Sequence, residues 1–160
     1  NDEVHYSFLM RISDLSNSYQ FTHLMQLKPS SDGITDKHPL ITITVSGDLF
    51  KIRHYDYSTE QYIVLSEVPL DVVNNEWLNI NLNILYSHEG NINLNIIKNE
   101  SGDEILNIKN KALNLWFDNS NSSYSTKFKS GIYRDIKDVV KFGDDNVKFA
   151  DYSFLKITGN

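Results

Sequence analysis

Cysteine is absent from the 160 residues, which excludes a disulfide framework, a zinc–thiolate site and a cysteine nucleophile. The lack of disulfides does not argue against export, since a protein can be stable outside the cell without them. No apolar run approaches the roughly 20 residues needed to span a bilayer, so no membrane partner is expected. There is no serine–histidine–acid order, no glycine-rich phosphate loop and no strong carboxylate pair, and hydrolases and nucleotide enzymes rank low. Positive charge is also short: the net charge is -6, which disfavours binding of nucleic acid over the whole surface but leaves room for a local basic cleft. The opening Asn1-Asp2-Glu3-Val4 is neither an initiator methionine nor a signal peptide. The expectation is therefore a mature or excised piece of a longer product.

What the chain does have is period-two alternation with little helical periodicity, the pattern of an antiparallel β protein. The clearest case is Leu78, Ile80, Leu82 and Ile84 interleaved with Asn79, Asn81 and Asn83, followed after Ser87-His88-Glu89-Gly90 by Ile92, Leu94 and Ile96 against Asn91, Asn93 and Asn95. This predicts a hairpin with an apolar core face and an asparagine face toward solvent. The chain holds 18 asparagines, a bias that fits an AT-rich genome at least as well as a function, and the sequons at Asn99 and Asn121 carry little weight for glycosylation.

Further strands are expected at His5 to Ile12, Phe21 to Leu27, Leu40 to Ser46, Leu49 to Tyr55, Tyr62 to Val68, Ile105 to Ile108, Lys127 to Arg134 and Val147 to Ile157. Turns such as Ser31-Asp32-Gly33 and Ser46-Gly47-Asp48 punctuate them. Helical turns are expected only at Ala112 to Phe117 and Ile136 to Val140, and a mobile loop at Asp118 to Ser125. About ten strands without βα alternation predict an all-β, antiparallel two-sheet β-sandwich or jelly roll. It is read as one domain over residues 1–160, either short of an N-terminal strand or cut from a longer protein.

Two segments could carry chemistry. In Lys127-Phe128-Lys129-Ser130-Gly131-Ile132-Tyr133-Arg134, alternation puts Lys127, Lys129, Tyr133 and Asp135 on one side with a gap at Gly131, and Phe128 and Ile132 on the core side. Two ammonium groups beside a phenol suit an anionic ligand. In Thr22-His23-Leu24-Met25-Gln26-Leu27-Lys28-Pro29, a regular strand shares Thr22, Leu24, Gln26 and Lys28 on one face and turns His23 away, unless a bulge intervenes. Gln26 and Lys28 together can hydrogen-bond and neutralise a carboxylate. Either segment alone is also what an edge strand with solvated polar groups looks like.

Together the segments resemble the jelly-roll polysaccharide lyases that act on uronate polymers. The alginate lyase branch carries Gln-Ile-His and Tyr-Phe-Lys-x-Gly-x-Tyr strands, matched here by Gln26-Leu27-Lys28 and by Lys127-Phe128-Lys129-Ser130-Gly131-Ile132-Tyr133. The heparin and glucuronan lyase branches tend to read Lys-x-Gly-x-Tyr-Arg, which Tyr133-Arg134 completes. The likeness runs more loosely from Tyr6-Ser7-Phe8, through Trp77 and its hairpin, to Asp151-Tyr152. Lys28 stands where the alginate lyases have histidine, and their preceding arginine strand has no counterpart, as it would fall before Asn1.

The resemblance implies a concanavalin A-like jelly roll and β-elimination on an anionic polysaccharide. Gln26 with Lys28 or Lys129 would hold the carboxylate as charge spreads onto it. Tyr133 would serve as general acid/base, with ammonium groups beside it favouring the phenolate. His23 is the alternative base. Lys127, Arg134 and Trp116 are candidates for substrate binding, and Trp77 for packing. A rival is a noncatalytic carbohydrate-binding module with a lyase-like concave face; another is a structural β-sandwich. No cofactor is required. Asp144-Asp145-Asn146, or Asp32 with Asp36, could help bind a structural calcium. His5, His38, His54 and His88 show no metal-ligand spacing and are expected at the surface or in loops. The expected setting is secreted or extracytoplasmic, at a bacterial cell surface or in the periplasm, as a monomer or part of a larger polypeptide.

Overall fold

The protein is described by a computed structural model that covers residues 2–13, 18–31, 34–35, 38–116, 124–135 and 149–159. Among these residues eleven strands occur in chain order: β1 Asp2–Ser13, β2 Ser18–Ser31, β3 Ile34–Thr35, β4 Ile41–Gly47, β5 Leu49–Asp56, β6 Gln61–Pro69, β7 Trp77–Tyr86, β8 Gly90–Lys98, β9 Glu104–Leu113, β10 Tyr124–Arg134 and β11 Phe149–Gly159. They form two antiparallel sheets, one ordered β11-β1-β7-β8-β9 and one ordered β10-β2-β4-β5-β6, with β3 paired to β2. This is the all-β sandwich of a jelly roll.

Alternation builds the core. Along β7 every second residue from Leu78 to Tyr86 is buried and the asparagines between are half-buried. β8 mirrors this in register, with Ile80 opposite Ile96, Leu82 opposite Leu94 and Ile84 opposite Ile92. From the other sheet, Met25, Leu27, Ile41, Ile43, Val45, Phe50 and Ile52 join the same cluster as Phe8, Met10 and Ile12. Phe128 and Ile132 pack against that cluster from β10.

β2 and β4 depart from simple alternation. Residues 22–27 are all buried, as are residues 41–45, so both strands are covered on both faces. In β4 the isoleucines enter the core while Thr42 and Thr44, although wholly buried, lie on the opposite face, where the Thr44 hydroxyl donates to Thr42 Oγ1 at 2.8 Å. β-branched threonines suit such a position because their methyl packs while their hydroxyl is satisfied locally.

Two expectations are corrected. Ala112 and Leu113 finish β9 and residues 114–116 follow without helix; the one helical turn among the described residues is a short 3-10 segment, Leu70–Val72. Ala112 is held in the ladder by pairing with Asn91. His54 is not at the surface: it is buried, its Nδ1 lies 3.0 Å from the Leu40 carbonyl oxygen, and burial lowers its pKa. The expected helical turn at 136–140, most of the loop at 118–125 and the calcium candidates Asp32, Asp36 and Asp144 to Asn146 lie outside the described residues.

Candidate active site

The outer face of the six-stranded sheet is a grid of side chains set by strand register. One row reads Tyr133, His23, Thr44, Lys51, Glu67 across β10, β2, β4, β5 and β6. The next reads Lys129, Gln26, Thr42, Arg53, Val64 across the same strands. A third holds Lys127 opposite Lys28 at one side and Tyr55 opposite Tyr62 at the other. Paired residues share a face, so these rows gather five cations around one carboxylate, Glu67, which sits at the far edge 3.7 Å from Lys51. Asp135 lies past the end of the rows, where its backbone N–H donates to the Phe21 carbonyl.

His23 reaches this face because of a bulge. Against β4 the register shifts between His23 and Met25; Leu24 and Met25 both enter the core, and His23 swings onto the side of Gln26. An extra residue in one strand has this effect, since it reverses the facing of everything beyond it. The imidazole lies parallel to the Tyr133 ring, with 6.0 Å between centroids and 7° between planes, and stacks on Phe21 at 4.4 Å. Tyr133 is 59% exposed while His23 is buried, so the pair runs from solvent to the floor of the sheet.

The hydrogen bonds fix the state of that imidazole. Its Nδ1 is 2.7 Å from Thr44 Oγ1. Because the Thr44 hydroxyl donates onward to Thr42, its oxygen accepts from His23, which puts the proton on Nδ1 and the lone pair on Nε2. Burial first, then the positive charges of Arg53 and Lys28, bring the His23 pKa down to about 4. The ring is neutral at neutral pH.

Arg53 is the residue that sequence reasoning missed. It faces Thr42, in the row of Gln26 and Lys129, and its guanidinium lies over the Tyr62 ring at 4.2 Å. Burial lowers its pKa, yet a guanidinium stays charged under any working condition. The signal was the run Lys51-x-Arg53-x-Tyr55, all on the non-core side of a strand.

Of the residues singled out from sequence, Gln26, Lys28, Lys129 and Tyr133 line one groove of about 240 Å³, together with Ser130, Gly131, Ile132 and Leu24. His23 adjoins it through Tyr133. Lys127 lies one pair further along, opposite Lys28. Arg134 pairs with Thr22 through its backbone, and its side chain lies outside the described residues. Trp116 lies elsewhere: it follows β9, 6.0 Å from the His88 ring, next to Leu115, whose N–H bonds the Ser87 carbonyl at the β7–β8 turn. Trp77 carries Arg11 over its ring at 5.2 Å. Among the described residues no cluster of three histidine or acidic side chains could hold a metal ion.

The polysaccharide lyase family model matches residues 1–152 of this sequence. The chain belongs to the polysaccharide lyase family. Among solved structures, the receptor-binding domain of botulinum neurotoxin mosaic serotype C/D shares the fold, with a TM-score of 0.54, 16% identity, and coverage of 98% of this chain and 32% of that one. The chain thus spans about a third of that relative. A polysaccharide lyase of family 18, aly-SJ02, also matches at a TM-score of 0.48, and an alginate lyase from Alteromonas sp. 272 at 0.46, each 11% identical over 99% of this chain and 72% of the other. No curated protein matches.

Proposed function

We propose that this polysaccharide lyase cleaves an acidic, uronate-containing polysaccharide by β-elimination on the outer face of the six-stranded sheet. The observation that carries the substrate class is the charge pattern: a protein of net charge -6 collects Lys28, Lys51, Arg53, Lys127 and Lys129 in three adjacent rows with one carboxylate at their edge. A local field of this sign attracts and orients a polyanion.

In the reaction a base removes the proton alpha to the uronate carboxylate, the C4–oxygen bond breaks, and C4 and C5 become doubly bonded. The departing oxygen takes the electron pair and a proton. Arg53, Lys129 and the Gln26 amide are arranged in one row to meet the carboxylate as charge spreads onto it, which is where fixed cations and donors contribute most. Tyr133, at the mouth of the groove, exchanges protons with the sugar. The neutral His23, with its lone pair on Nε2, is the partner that accepts. A bound carboxylate would offset the cations that lower the His23 pKa and so raise its basicity in the complex. The polymer's size places the reaction outside the cytoplasm, and no cofactor is used.

A second reading, binding without turnover, is favoured by one observation: with a pKa of about 4, His23 is a weak base in the empty site. Both readings are tested by following the ultraviolet absorbance of the unsaturated uronate product on alginate, glucuronan, heparin, hyaluronan and pectate, with Tyr133→Phe as control. A Tyr133-dependent rise supports the lyase and names its substrate. Saturable binding with no product on any polymer would make it a binding module.

A further inference from the structure

The register between β2 and β10 fails at one point, and a side chain from the opposite sheet occupies it. Between β2 and β10 the pairing jumps from Met25–Ser130 to His23–Tyr133, so that Gly131 and Ile132 stand against the single residue Leu24. Backbone groups in such a gap lose their ladder partners, and when buried they must find others. Tyr152 of β11, opposite Met10 in the five-stranded sheet, supplies them. Its ring packs against the shared core, and its hydroxyl donates to the Leu24 carbonyl at 2.6 Å and accepts from the Gly131 N–H at 3.1 Å.

We propose that Tyr152 is a positioning residue: its phenol props the β2–β10 seam at Leu24 and Gly131 and thereby sets the spacing of His23 and Tyr133. The two residues flank the gap. His23 immediately precedes Leu24, and Tyr133 follows Gly131 by two. Close the gap by pairing Leu24 directly with Gly131 or Ile132, and the parallel stack of imidazole and phenol loses its register. Burial pushes the Tyr152 pKa up to about 12, so the hydroxyl remains a donor throughout the range in which the site works. Gly131 contributes from the other side: at φ 130° it holds a backbone conformation that other residues adopt with strain. Proximity of catalytic groups is sensitive to displacements of about 1 Å, which is the scale of a relaxed seam.

The role in turnover rests on the lyase reading; the role in geometry does not, and the experiment separates them. Tyr152→Phe keeps the ring and deletes the hydroxyl. The expected result is about tenfold faster amide exchange at Gly131, a changed 15N shift pattern for the His23 ring, and a kcat lowered about 10- to 100-fold with KM little changed. Tyr6→Phe is the control. It removes another buried hydroxyl, bonded to Tyr86 at 2.9 Å, and should lower Tm while leaving Gly131 exchange and kcat alone. If Tyr152→Phe does not fold, Gly131→Ala, whose Cβ would meet open space, perturbs the same seam and should give the same pattern. Unchanged Gly131 exchange, or changed exchange with unchanged kcat, overturns the proposal. Should the wild-type protein eliminate no acidic polymer, the lyase reading fails, and the exchange and His23 spectra alone decide whether Tyr152 positions the pair.

Discussion

The two outer faces of the sandwich are both polar, and they differ in how their polar groups are employed. On the five-stranded sheet, Asn81 opposes Asn95, Asn83 opposes Asn93 and Asn95 opposes Asn107, around a wide groove of about 420 Å³. Those groups bond each other: Asn81 donates to Asn79 at 3.1 Å, Ser7 to Asn81 at 3.0 Å, and Asn95 and Asn107 both to Glu104 at 2.9 and 2.7 Å. On the six-stranded sheet the polar groups include five cations, a buried neutral imidazole and an exposed phenol, with one carboxylate at the edge. Groove size therefore does not mark the site, since the larger groove is the asparagine one. Like charges gathered in rows, and a histidine held neutral by burial, cost stability unless a ligand uses them, which is why perturbed groups point to function.

The contrast can be broken or sharpened by substitution. The largest effect is expected for Tyr133→Phe, which should lower kcat by about 100-fold or more, the range for loss of a proton-transfer group, while polymer binding measured by calorimetry survives. Next comes Arg53→Gln, expected to cost about 100-fold in kcat/KM, as for loss of one charge-stabilising donor, and to raise the His23 pKa in an NMR titration because one of the charges lowering it is gone.

A third test uses pH. The folded His23 pKa of about 4 lies below the unfolded value of 6.5, so between these values the unfolded chain binds more protons. Stability should fall as pH drops from about 6.5 to about 4, by up to about 3 kcal/mol from this group, and level off below. His23→Gln should remove that share in urea melts, leaving the part due to His54, which titrates in the same sense. The smallest effect belongs to the other face: Asn95→Ser should change stability by about 0.5 kcal/mol or less and leave elimination untouched. A substantial loss of activity there would erase the contrast.

Much of the fold was legible because a period of two survives in the sequence wherever one face of a strand is buried. The Leu78 to Ile96 hairpin, with asparagines out and aliphatics in, is the plainest instance. Gln26, Lys28, Lys129 and Tyr133 could be grouped because they lie on two strands whose motifs resemble a known pair. His23 could not be placed, since one inserted residue reverses its facing and no composition signal marks the bulge at Leu24. Arg53 was passed over for the opposite reason: it sits regularly on a regular strand, and only the sheet order, which brings β5 beside β4 and β4 beside β2, puts it in the row of Gln26. Trp116 looked like a cleft residue from its place before a polar segment, and sheet order put it by the β7–β8 turn instead.

The most direct test of the account is an NMR titration of the Tyr133→Phe protein with a uronate oligosaccharide, since that variant should bind without consuming its ligand. The account predicts shifts centred on His23, Gln26, Arg53 and Lys129, weakening with added salt, and silence from Asn81, Asn93 and Asn95. Shifts centred on the asparagine face, with the cation rows unmoved, would contradict it.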